Sequence, residues 1–192
     1  MDRTDLIRTS EQIDHFFDLG DVSGGTEAIE RALEATRDQP AFNAFFQAEA
    51  AGYIRHDSRE QGRLFQEAQR LDPEDLFFLR TVGIWQLMNG KVWAAVKTFD
   101  RVLAIDAKDA DTIRCMGIAH SRLDRDRKAI TFYQESLKIN PKDSDAFRQI
   151  GVSYSKLGED REALEWFRKA LQYNELDYDA MRQLGISLAM LE

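Results

Sequence analysis

Apolar residues recur along this chain at the three-and-four spacing of helices that each bury one face. The stretch FRQIGVSYSKLGEDREALEWFRKAL, residues 147–171, shows the pattern and its one irregularity, Gly151 in the middle of a well-patterned run. A glycine inside a helix costs roughly 1 kcal/mol against alanine, so the missing side chain must have a use. The rest of the chain supplies it. Gly83, Gly117, Gly151 and Gly185 lie 34 residues apart, in the contexts VGIWQL, MGIAHS, IGVSYS and LGISLA. Behind the first three glycines, in constant register, come Ala95, Ala129 and Ala163, then Phe99, Tyr133 and Phe167, then Leu103, Leu137 and Leu171. Short polar turns (NGK, DRD, GED) and longer polar linkers (AIDAKD, KINPKD, QYNELD) divide each unit into two helices. The glycine and the alanine fall where the two helices of a unit cross. Each glycine is therefore predicted to be a notch that lets two backbones approach closely.

This pattern resembles the tetratricopeptide repeat, a 34-residue helix-turn-helix unit. The resemblance implies an all-α solenoid, a right-handed superhelix of antiparallel helix pairs, with about five repeats plus a C-terminal helix. Three regular units span residues 76–177 (76–109, 110–143 and 144–177), and residues 178–192 form a capping helix or the first helix of a further repeat. Pro141 stands at the end-of-unit position the family favours, where Ala107 and Glu175 replace it in the other units. Upstream, residues 42–75 read as a degenerate repeat. Phe65, Ala68 and Pro73 keep phase, but Glu49 and Gln61 occupy the glycine and alanine positions, which predicts looser or displaced helix packing. Residues 1–41 read as a divergent helix pair whose loop, DLGDVSGG, is expected to be a hinge.

In this family the first helices of the repeats line the concave wall where partners bind. The fifth position of those helices is Arg80, Arg114, Arg148 and Arg182; the ninth is Ile84, Ile118, Val152 and Ile186. Arg122 and Lys156 are expected to face the same way, as are Phe46 and Phe77 from the phenylalanine-rich N-terminal half. Such a wall, arginine forks alternating with branched aliphatics, suits a partner peptide of mixed acidic and apolar character. Self-neutralisation is the competing expectation, because Asp111, Asp145 and Asp179 each precede an arginine by three residues. The carboxylate clamp by which some relatives hold chaperone tails needs asparagine where Ala50, Ile84 and Ile118 stand, so that mode is not expected. In the last helix, Met181, Leu184, Leu188 and Leu191 leave an apolar end, which raises self-association as an expectation.

Composition narrows the classes further. Lys plus Arg total 26 against 34 Asp plus Glu, a formal charge of −8, which argues against a bulk nucleic-acid binder. No run approaches the roughly 18 apolar residues of a membrane span, and the first thirty residues lack a signal-peptide core. Cys115 is the single cysteine, so a cytoplasmic setting is the default expectation. His15, His56 and His120 are scattered, and the sequence shows no metal-ligand spacing and no glycine-rich phosphate loop. Neither a catalytic set nor a cofactor or metal site is expected. The sequence thus points to a protein-binding scaffold or adaptor. Two alternatives are a self-assembling scaffold like the magnetosome-associated proteins of this family, and a secretion-type bacterial chaperone.

Overall fold

A computed structural model describes residues 2–191. It is all-α, a helical-repeat solenoid architecture of eleven α-helices and one π-helical turn, with no strand among the described residues. The chain divides into two compact units, Met1–Asn89 and Gly90–Glu192. The division falls in the turn of the repeat that spans residues 76–109.

The first unit holds α1 (Arg3–Asp18), α2 (Val22–Ala35), α3 (Pro40–Glu49) continued by a π-helical turn (Ala50–Ile54), α4 (Ser58–Leu71) and α5 (Leu76–Met88). Its core is built on phenylalanine: Phe45, Phe46 and Phe78 are almost fully buried, and Phe45 touches the rings of Phe46, Phe65, Phe77 and Phe78. The expected hinge is displaced. Gly24 and Gly25 lie inside the first turn of α2, where Asp21 caps the helix by accepting from Gly24 N at 2.9 Å. Gly25 is buried against Phe17, so it is a packing position and not a flexible joint.

The irregular repeat has a specific cause. The helix begun at Pro40 widens into a π turn just after Glu49, where the regular repeats carry a glycine. The close approaches therefore fall on other glycines: Gly52 packs against Gln61, and Gly62 lies beneath the Trp85 ring.

The second unit holds α6 (Val92–Ile105), α7 (Ala110–Ser121), α8 (Asp126–Ile139), α9 (Ser144–Lys156), α10 (Asp160–Tyr173) and α11 (Tyr178–Ala189). Here α7 pairs with α8 and α9 with α10, and each pair stacks on the next. Ala129, Tyr133, Ile150, Ala163 and Phe167 are fully buried between them. At Gly117 and Gly151 the notches do what their spacing predicts. Gly117 accommodates the Tyr133 ring, and a Cβ on Gly151 would sit 2.6 Å from the Phe167 ring. Gly185 on α11 has nothing within 4 Å of where its Cβ would stand.

The turns share a further device. His56, Gly90, Asp124 and Gly158 all adopt positive φ, and they too are 34 residues apart. A left-handed residue ends each first helix and reverses the chain into the second. Two of the four positions carry glycine; Asp124 (φ 56°) and His56 (φ 52°) hold the same conformation at a steric cost.

Candidate functional site

Within the second unit the sequence-predicted face lies on the first helices α7, α9 and α11. Each of these begins with a capping aspartate: Asp109, Asp143 and Asp177 accept from Thr112 N, Ala146 N and Ala180 N at 3.0, 3.1 and 2.9 Å. The arginines are positioned by those caps. Arg114 Nε lies 3.0 Å from Asp143 Oδ2 on the next first helix, close enough for the charges to pair. Arg148 Nε donates to Asp177 Oδ2 at 3.0 Å in the same way. Each arginine also meets the aspartate three residues before it, Asp111 or Asp145.

These two guanidinium groups are thus staples between successive repeats. Their side chains are only 22% and 21% exposed, against 65% for Arg182, which pairs with Asp179 alone among the described residues. Burial works against the charges of Arg114 and Arg148, yet the surrounding aspartates more than offset it and hold both pKa values above the ordinary arginine value. Two carboxylates thus meet each half-buried guanidinium, and the fork is partly committed before any partner arrives. The i,i+3 pairs were legible in sequence. The links across 29 residues were not, because they require knowing that one repeat's cap lies over the previous repeat's arginine.

Among the other expected residues, Ile118 and Val152 are half-buried beside the arginines, and Ile186 is 48% exposed. Arg122 caps the C-terminus of α7 and is exposed. Lys156 is tied into the repeat stack: its Nζ donates to Ser121 O and Oγ at 3.2 and 3.0 Å, while Ser121 Oγ donates to the buried Asp126 at 2.6 Å. Arg80 and Ile84 lie on α5 of the first unit, half-buried and 40% exposed respectively.

Phe46 corrects the sequence expectation. Its ring is fully buried in the phenylalanine core and is closed to a partner. Phe77 packs on the same cluster, 4.9 Å from Phe45, and stays half-buried. The contiguous apolar demand of the irregular repeat draws both inward.

Glu49 is buried at the π turn with Oε2 unpartnered, and burial, aided by Asp14, pushes its pKa up to about 8. Asp14 in turn accepts from the Tyr53 hydroxyl at 2.7 Å. His120 stacks on Phe132, and its burial, with Lys128 and Arg125 nearby, lowers its pKa. Among the described residues there is no group of three or more His, Cys, Asp or Glu placed to hold a metal ion. No helix among them is long and apolar enough to cross a membrane.

Comparison with known proteins agrees with this construction. Residues 116–143 and 145–175 match the tetratricopeptide repeat family, so that part of the chain carries tetratricopeptide repeats. No curated sequence matches it. Among solved structures it is similar to a thermophilic tetratricopeptide-repeat protein of Thermus thermophilus, with 15% identity, TM-score 0.77, and 96% of this chain and 99% of that one covered. It is also similar to MamA (18% identity, TM-score 0.66, 80% and 84% covered). A third is YrrB, described as a tetratricopeptide-repeat protein with an unusual peptide-binding site (16% identity, TM-score 0.63, 88% and 87% covered). At these identities the likeness establishes the fold alone.

Proposed function

We propose that this protein is a scaffold or adaptor for protein–protein interaction, and that the first-helix face of the second unit holds a segment of its partner. The carrying observation is the equivalence of three successive helices. Each of α7, α9 and α11 presents an arginine, a branched aliphatic and an exposed aspartate at matching positions. Ile118, Val152 and Ile186 would take the segment's apolar side chains. Arg182, Arg122 and the unengaged N–H groups of Arg114 and Arg148 would meet its carbonyls or carboxylates. Arg80, Ile84 and Phe77 extend the same residue pattern onto α5. Because two aspartates already face each half-buried arginine, a partner that is merely acidic gains little; apolar residues between its polar groups supply most of the grip.

The test uses partners retained from native cell extract and identified by mass spectrometry. Replacing Val152 by Ser and Arg182 by Glu should weaken the retained partner's affinity by about tenfold or more while helicity is unchanged. Undiminished affinity in that double variant removes the face from consideration.

A second reading is self-assembly, favoured by the apolar surface of α11. Met181, Ile186, Leu188 and Met190 are all more than 40% exposed there. Light scattering over a concentration series distinguishes the two, since a strict monomer is incompatible with assembly.

A further inference from the structure

A second site lies away from the arginine staples, in a cleft of about 450 Å³ lined by α8, α10 and Phe147 of α9. Its wall is aromatic. Phe147 stacks on Tyr173 at 5.3 Å with the rings 4° from parallel, and lies 6.0 Å from Trp166. Lys169 Nζ sits 4.0 Å above the Trp166 ring, and Lys138 lines the opposite side. No carboxylate is among the lining residues, and neither lysine is in an ion pair among the described residues. In a chain of net charge −8 this is a local reserve of positive charge beside the exposed Tyr173 ring and the half-buried Trp166.

We infer that this cleft binds a proline-rich, acidic segment of another protein in the polyproline II conformation. Three physical matches support it. Trp166 and Tyr173 are seven residues apart on one face of α10, about 10 Å along the helix. Same-face residues of a polyproline II strand, three apart, recur about every 9 Å. A pyrrolidine ring can therefore lie on the open face of Tyr173 while a second displaces the Lys169 ammonium from Trp166. Proline carries no backbone N–H and polyproline II has no internal hydrogen bonds, so the proline stretches of the ligand offer free acceptors and no donors. The cleft answers with donors: the side-chain amides of Gln134 and Gln172, the two lysines and the Tyr173 hydroxyl. Finally, the unpaired lysines complement carboxylates flanking the prolines. A second copy of this chain is not the occupant, because its three prolines, Pro40, Pro73 and Pro141, are isolated from one another.

The test is calorimetric titration of the full chain with the acetylated peptide Glu-Pro-Pro-Leu-Pro-Pro-Glu. Saturable binding is expected, weakened at least about tenfold by Tyr173→Ala, and likewise by Lys138→Glu with Lys169→Glu, whose side chains are exposed and whose replacement leaves the fold intact. Arg182→Glu, on the other face, should leave it unchanged. A peptide with alanine at each proline, or lysine at each glutamate, should bind at least about tenfold more weakly. Equal binding of either control, no binding at millimolar peptide, or displacement of the peptide by oligothymidylate would overturn the inference.

Discussion

Gly151 and Gly185 occupy the same repeat position with opposite surroundings, so one substitution made at both sites isolates the notch. Alanine at either position recovers roughly 1 kcal/mol of helix propensity. At Gly185 nothing stands within 4 Å of the new Cβ, and the gain should be realised as a stabilisation of about 0.5–1 kcal/mol. At Gly151 the Cβ arrives 2.6 Å from a Phe167 ring that is itself fully buried. Overpacking of that kind costs about 1–3 kcal/mol, so the net effect should be neutral to destabilising by about 2 kcal/mol. The propensity term is common to both, which leaves a difference of about 1–3 kcal/mol between the sites. In a chain of this size that corresponds to roughly 2–4 °C in Tm for each kcal/mol. Urea unfolding followed by far-ultraviolet circular dichroism measures it, with equal m-values as the control for comparability. Adding Phe167→Leu to Gly151→Ala should recover part of the loss, giving a favourable coupling of about 1 kcal/mol. If the two alanine variants changed stability by the same amount in the same direction, the glycines would not be packing notches.

Other consequences follow from the staples, the turns and the buried carboxyl. Asp143→Asn keeps the helix cap but removes the charge that meets Arg114, and should cost about 1–3 kcal/mol in chemical denaturation. Arg182→Gln breaks only an exposed pair and should cost about 0–1 kcal/mol. Asp124→Gly relieves a left-handed residue and should stabilise by about 1 kcal/mol, whereas Gly158→Ala at the equivalent turn should destabilise by a similar amount, both read from thermal melts. Glu49, with its pKa raised from 4.5 to about 8, binds a proton in the folded protein that it releases on unfolding. Its contribution is whole below pH 4.5 and is lost as pH rises through about 8. Melts between pH 5 and 9 should show falling stability on the order of a few kcal/mol, and Glu49→Gln should flatten that slope.

The regular repeats were legible in the sequence because one steric event, an aromatic ring against a glycine, is repeated at fixed register by Tyr133 with Gly117 and Phe167 with Gly151. The irregular repeat was legible only as a fault. Glu49 in a glycine position announced displaced packing, but nothing local specifies that the backbone answers with a π turn and transfers the close approaches to Gly52 and Gly62. Phe46 was misplaced because counting along the repeat turns it toward the partner face, whereas the phenylalanine cluster of the first unit takes its ring into the core. Repeat spacing located the arginines and predicted their i,i+3 partners. Their inter-repeat partners depend on the stacking of successive helix pairs, a property of the fold that no single helix encodes. The aromatic cleft was missed because its residues come from three helices and share no motif.

The proposal that the first-helix face meets the partner is tested most directly by methyl NMR of the full chain, labelled at isoleucine and valine, during titration with the partner segment retained from cells. Shifts concentrated at Ile118, Val152 and Ile186, and lost in the Val152→Ser, Arg182→Glu variant, are the predicted result. Shifts confined to other methyl groups, such as those of Ile7, Ile29 and Val82, would contradict it.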